Sequence, residues 1–421
     1  MKFNKSSQLL MVSAVSLLVA GLLTACGTLT TDFVYVASSK AAGANNYGEI
    51  DVFEINSVSG VMRQIPSSPF PSGGRNPVAE AVSADYANLY VVNQDDNTIV
   101  QFMIGNDGKL YPQNTVNTPG IYPLAVAVSG TNLFVVDTYQ PLSTCSNADP
   151  CSGSVGVFPL LPASGTGSSA TLSGAPGTPL TNASIGANYW PLTLLAAPSH
   201  VIVPTAVNVL KSGAELYVTA YDASVTPNVG YVFGFAIASS GALTPLNGGV
   251  PFAAGVHPSA IASDSSSAYV YVTDATSGNV RGYSVSTATS SLGFLNSLSG
   301  SPFRAGNQPS AIVVDPEYPY AYVANALDGN VEAYSISNGV LSFLGGSATP
   351  VTYATDTQPV AIGIDPSTSH FLFTANFLSN TVSDFELSAT AGTLVNTQRS
   401  PYTSNAQPTA VAAIPHGSTQ K

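Results

Sequence analysis

A short strand pattern recurs seven times along the chain. It reads Tyr35-Val36-Ala37, Tyr90-Val91-Val92-Asn93, Phe134-Val135-Val136-Asp137 and Tyr217-Val218-Thr219, then Tyr271-Val272-Thr273-Asp274, Tyr322-Val323-Ala324-Asn325 and Phe373-Thr374-Ala375-Asn376. Successive aromatic anchors lie 55, 44, 83, 54, 51 and 51 residues apart. A unit of this length cannot bury its own apolar face, so neighbouring copies must stack. Aromatic and β-branched runs between Gly, Asn and Pro are strands, and no sustained helical period follows Cys26.

Every unit has the same internal order. An X-Pro opens an apolar strand, as in Gln308-Pro309-Ser310-Ala311-Ile312-Val313-Val314. The aromatic strand follows, then a third such as Asn330-Val331-Glu332-Ala333-Tyr334-Ser335-Ile336, then a fourth after a Gly turn at Gly339-Val340-Leu341. Four antiparallel strands per unit, seven times over, predict an all-β, seven-bladed β-propeller across 31–414. The first aromatic strand lacks an opening strand, whereas Gln407-Pro408-Thr409-Ala410-Val411-Ala412-Ala413 lacks an aromatic partner. The C-terminal strand is therefore expected to complete the first blade and close the ring, leaving few free edges.

Thr374-Ala375-Asn376-Phe377-Leu378-Ser379-Asn380-Thr381-Val382-Ser383 and its six relatives resemble the YVTN-type repeat of the lactonase-like seven-bladed propellers. That superfamily includes bacterial 6-phosphogluconolactonase and fungal muconate-lactonising enzymes. The resemblance implies the fold and, as one alternative, a metal-independent hydrolase or isomerase of a small lactone. Its active members use His together with Arg and Glu from several blades, whereas this chain has four His and no Glu at a matching position.

The N-terminus reads as an address. Lys2 and Lys5 precede an apolar run from Leu9 to Leu23, too short and too abruptly ended for a spanning helix. Leu23-Thr24-Ala25-Cys26-Gly27 resembles a bacterial lipobox, which makes 1–25 a lipoprotein signal peptide, Cys26 the lipidated residue and 26–30 a tether. Gly27 after Cys26 resembles the signal for outer-membrane sorting. The expected location is the cell envelope, anchored to a membrane without spanning it. With Cys26 removed from the count, Cys145 and Cys151 remain, and in an oxidising compartment they are expected to form a disulfide. Losing Lys2 and Lys5 takes the net charge from −12 to −14, which argues against nucleic acid as a partner. Only 8% of residues are charged, yet 45% are hydrophobic, so the chain is not disordered. Residues 415–421 are read as a tail.

Topology sorts the candidate site residues by face. The strand that opens with X-Pro and the end of the aromatic strand share one face. Near the axis of that face lie the pre-proline residues Asn76, Tyr122, Val203, His257, Gln308, Gln358 and Gln407, each expected to be extended by its proline. Six are polar, and together with Trp190 they are candidates to bind a small molecule, a glycan or an envelope protein. The outer residues Asn93, Asp137, Asp274, Asn325 and Asn376 suit turn chemistry. The long unit carries two insertions on the same face, 138–153 and 181–203, the second holding Tyr189, Trp190 and His200; Trp190 is read as a lid or as a plug beneath its own loop. A lactonase would need a base and an anion clamp. His257, Asp274 and Arg304 are the set this face offers, with Arg75 in an equivalent loop. No metal-ligand cluster, nucleophile elbow, P-loop or dinucleotide fingerprint occurs, so no metal or cofactor is expected. The chain is expected to act as a monomer, and a passive scaffold or adhesin is a third alternative.

Overall fold

The computed structural model describes residues 30–42, 46–57, 59–164, 173–366 and 370–416. Residues 1–25, read above as a signal peptide, and Cys26 lie outside them. Seven antiparallel sheets surround a common axis. Their innermost strands are Pro408–Pro415, Pro77–Val82, Ile121–Ser129, Ile202–Val209, Pro258–Ser263, Pro309–Val314 and Pro359–Ile364, which define blades 1 to 7 in that order. Each innermost strand touches the next, and blade 7 touches blade 1, so the ring is closed. In blade 1 the closing strand Pro408–Pro415 pairs with Thr30–Ala42, bringing Tyr35 opposite Ala412.

Four strands make each blade, and six blades add a short fifth one. In blade 5 the third strand, Asn279–Val285, pairs with Leu295–Ser297 near its end and with Phe303–Arg304 near its start. Two short segments thus cover one outer edge, which limits the free backbone groups available for sheet-to-sheet aggregation.

The aromatic anchors hold neighbouring blades together. Tyr35, Tyr90, Tyr217, Tyr271 and Tyr322 are fully buried. Each hydroxyl donates to a glycine carbonyl in the following blade: Gly108 (3.1 Å), Gly174 (2.6 Å), Gly293 (2.7 Å), Gly339 (2.9 Å) and Gly392 (3.0 Å). A buried tyrosine needs such an acceptor. Each of these glycines turns the chain between the third and fourth strands at positive φ, from 66° to 82°.

The pre-proline residues depart from the extended expectation. Asn76, Tyr122, Gln308, Gln358 and Gln407 have φ between 53° and 61°, in the left-handed region. The entry into the innermost strand overrides the local preference. There the carbonyls of Asn76, Gln308, Gln358 and Gln407 accept the N–H of Gln94, Ala326, Phe377 and Ser39 across the rim. A register shift directly after the proline, as between Pro309 and Ala311, completes the turn.

Candidate functional site

The rim is raised over blades 3 and 4, as it is over blade 1, whose second strand runs on to Ala42. In blades 2, 5, 6 and 7 the second strand ends at Asn93, Asp274, Asn325 and Asn376. In blades 3 and 4 it runs two residues further, to Tyr139 and Asp222, and the innermost strands lengthen to match: Tyr139 pairs with Ile121, Tyr221 with Val203 and Asp222 with Ile202. This extension displays aromatic rings. Tyr122 meets the edge of Tyr139 at 6.0 Å between centroids, and Tyr221 lies against His257 at 4.2 Å with the planes 32° apart.

Both insertions meet at this place. Ser152 Oγ donates to the His200 carbonyl (2.9 Å) and accepts the Ile202 N–H (3.0 Å), and the Gly153 N–H bonds the Ile202 carbonyl (2.9 Å). Cys145 and Cys151 form a disulfide that closes the first insertion, with 5.4 Å between their Cα atoms. Tyr139 Oη donates to Asn147 Oδ1 in the same insertion (3.2 Å). The second insertion ends by placing His200 Nδ1 at 2.6 Å from Oδ2 of the buried Asp222, whose Oδ1 accepts the Ser224 N–H (2.9 Å). The imidazole is 33% exposed. The carboxylate on Nδ1 orients the imidazole, the arrangement of a general base held by an acid.

The set drawn from the sequence is arranged differently. Asp274 is buried and accepts the main-chain N–H of Val256 (2.8 Å) and His257 (3.1 Å), and the hydroxyl of Ser277 (2.7 Å). Burial disfavours its charge, but these donors outweigh that and hold its carboxyl below the usual range. It therefore fixes the loop that carries His257; the imidazole itself lies on Tyr221. Arg304 is exposed on the outer edge of blade 5 and lines a crevice of about 440 Å³ toward blade 6 with Glu332 and Asp328. Glu332 is the acidic residue on this side that the sequence reading overlooked; burial raises its carboxyl, and the Arg304 charge is among the influences that offset this. Arg75 is committed to Asp96 through Nε (2.6 Å).

The remaining rim residues divide between structure and display. Asn76 donates to Gln94 Oε1 and Asp95 Oδ1, both at 3.2 Å, and Gln407 Oε1 accepts the Ser39 hydroxyl. Gln308 is exposed, while Gln358 and Val203 are half-buried. Asn93, Asp137, Asn325 and Asn376 are fully buried and bond rim loops: Asp137 Oδ2 accepts the Gly120 N–H (2.9 Å), and Asn376 Nδ2 donates to Thr381 and Ser383. Trp190 is no lid. It is 3% exposed, pairs with Val155 on the outside of blade 3, and donates from Nε1 to the Leu243 carbonyl (2.8 Å).

Sequence reasoning missed the His200–Asp222 pair. The signal was present as a length: the strand from Tyr217 reaches an acidic residue, Asp222, two residues past the point where the units of blades 2, 5, 6 and 7 turn. That overhang on the blade that receives the insertion marks the site.

The fold is a seven-bladed propeller with polar and aromatic residues at one mouth of its ring. The model of the family described as lactonase, 7-bladed beta-propeller, matches residues 191–417, more than half of the chain, and the chain belongs to that family. Solved structures agree on the fold. A protein of Bacteroides fragilis provisionally assigned as a 6-phosphogluconolactonase aligns with a TM-score of 0.65 and 18% identity, over 92% of this chain and 98% of its own. One from Bacteroides uniformis with the same provisional assignment aligns with a TM-score of 0.63 and 17% identity, over 91% and 99%. The periplasmic gluconolactonase of Pseudomonas aeruginosa aligns with a TM-score of 0.64 and 17% identity, over 91% and 99%. No curated protein matches the chain in sequence.

Proposed function

We propose that this protein hydrolyses small sugar-type lactones at the raised rim of blades 3 and 4, outside the cytoplasm, on a lipid anchor at Cys26. The observation that carries the reading is the 2.6 Å contact between His200 Nδ1 and the buried Asp222 carboxylate. His200 Nε2 takes a proton from water as the water oxygen attacks the lactone carbonyl carbon. The tetrahedral intermediate then breaks its ring C–O bond, and the proton passes to the departing alkoxide, giving a hydroxy acid. Asp222 holds the imidazolium as it forms. The Tyr221–His257 stack and the amide groups of Gln308, Gln358 and Gln407 stand around the mouth, the stack on the opposite side of the blade 4 strand from Asp222. Membership of the lactonase family supports the chemistry, and the gluconolactonases among the structural neighbours favour the substrate class. The Cys145–Cys151 bond favours an oxidising compartment.

Ring opening by the purified protein across a panel of aldonolactones tests this. His200→Ala and Asp222→Asn are expected to lower kcat/KM by about 10²- to 10⁴-fold, and His257→Ala to raise KM chiefly. A parent that binds the lactones without turning any over would leave the rim as a binding site and end the hydrolytic reading. For the anchor, Cys26→Ser is expected to abolish palmitate labelling and release the protein from membranes; unchanged fractionation would refute it.

A further inference from the structure

A second site lies outside the ring, on the flank of the same two blades. The insertion between Thr181 and Pro198 crosses from the outer edge of blade 3 to the outer strands of blade 4. In blade 5 the equivalent connection is short, and Leu298 packs directly under Gly282 and Tyr271. In blade 3 the longer segment borders a half-open cleft of about 180 Å³ against blade 4. Trp190 forms part of its wall, Phe233, Phe235 and Leu243 of blade 4 line it, and Leu195 and Val250 stand at its mouth.

The lining dictates the chemistry of an occupant. No charged residue contributes to it. Two of its polar side chains are already used: Trp190 Nε1 bonds the Leu243 carbonyl, and Asn182 bonds the Tyr189 carbonyl and the Ser184 N–H. Only the hydroxyls of Ser184 and Thr193 remain in the lining, so an ionic group entering here would lose its water without gaining a counter-charge. The mouth, by contrast, exposes large aliphatic side chains, with Leu195 66%, Val250 53% and Ile185 47% accessible. Clustered exposed aliphatics on a chain of this acidity mark a place of contact. Cavities of about 150 Å³ lined by Leu, Ile and Phe stay dry and hold a benzene molecule, so the volume here suits one ring with little to spare. We propose that this flank cavity binds an uncharged aromatic or alicyclic ring of a small molecule, separately from the rim site.

The protein carries its own reporter, because Trp190 is the only tryptophan in the chain. Bromobenzene, a heavy-atom quencher, is expected to quench Trp190 emission saturably, and unbrominated benzene to restore it in competition. Leu195→Glu puts a carboxylate at the mouth on a side chain exposed enough to leave folding unaffected, and should weaken bromobenzene binding at least tenfold. Aldonolactone turnover, measured on the same samples, should not change, which separates this site from the rim. Quenching that stays linear in bromobenzene, resists benzene, or is the same in the Leu195→Glu variant would overturn the proposal.

Discussion

At the scale of single residues, blade 2 breaks the rule the other six obey. Three positions after the proline that opens each innermost strand stands Val126, Val207, Ile261, Ile312, Ile362 or Val411, but in blade 2 it is Glu80. Both carboxyl oxygens are sealed from solvent, in the seam where blade 2 meets the ring-closing blade 1. Burial pushes the group well above its ordinary value of 4.5, and the Ala412 N–H offsets only part of this. Burial therefore favours the neutral form of Glu80 in the folded protein. Glu80→Val restores the repeat and is expected to stabilise the fold at pH 7 by about 1–3 kcal/mol, the range for relieving a poorly satisfied buried polar group. The gain should shrink near pH 4, where the unfolded chain also carries the proton. Urea titrations of both proteins at the two pH values measure it; a loss of stability, or a gain independent of pH, would contradict this account. Aligning the units on their prolines exposes the odd residue in sequence. Its partners are not legible there, because they come from the opposite end of the chain.

At the scale of the element, what repeats was legible and what happens once was not. The strand order, the blade number and the closing strand follow from a period that polar and apolar residues share. The tyrosine in five of the seven second strands was also plain, but the acceptor of its hydroxyl was not, since that glycine sits in the next unit, 68 to 84 residues away. Insertions have no period at all. Trp190 reads equally as lid or plug until the backbone pairing with Val155 settles it, and His200 finds Asp222 across a turn that no spacing rule describes. The stitch itself is testable. Tyr217→Phe keeps the buried ring, removes the bond to the Gly293 carbonyl and leaves that acceptor unsatisfied, at a cost of about 1 kcal/mol. Tyr322→Phe, at a different joint, should cost about the same. The two are separated by a whole blade, so the double variant is expected to lose the sum within about 0.5 kcal/mol. Chemical denaturation of the three variants decides it, and a double loss far above the sum would mean that the joints fail together.

At the scale of the molecule, the ring is closed by a strand from the far end of the chain. Removing Gln407 onward would expose the inner edge of Thr30–Ala42 along seven paired positions, and such an edge recruits other chains; the shortened protein is expected to aggregate or dimerise, which light scattering reports. Closure also buries acids without cations. Asp32 is raised to about 8, first by burial and then by the charge and hydrogen bond of Asp365. Asp384 reaches about 8 and Asp137 about 7, both through burial and both partly relieved by hydrogen bonds. Each of these groups has a folded value above its unfolded value of 3.8, so the folded state keeps the proton over a range where the unfolded chain has released it. Their contribution is complete below about pH 4 and is lost as pH rises through 7 to 8. Asp96 and Asp107 are shifted the other way by Arg75 and Lys109, but they are exposed surface pairs of small weight. Self-repulsion in a chain of net charge −12 grows in the same direction as the buried acids titrate. Thermal melts at constant ionic strength should therefore show Tm several degrees higher at pH 5 than at pH 8. Added salt should recover the part due to surface repulsion but not the part due to the buried acids, and Asp384→Asn, which cannot ionise, should flatten the slope. A Tm that climbs from pH 5 to pH 8 would mean that these carboxyls are ionised and paired inside the ring.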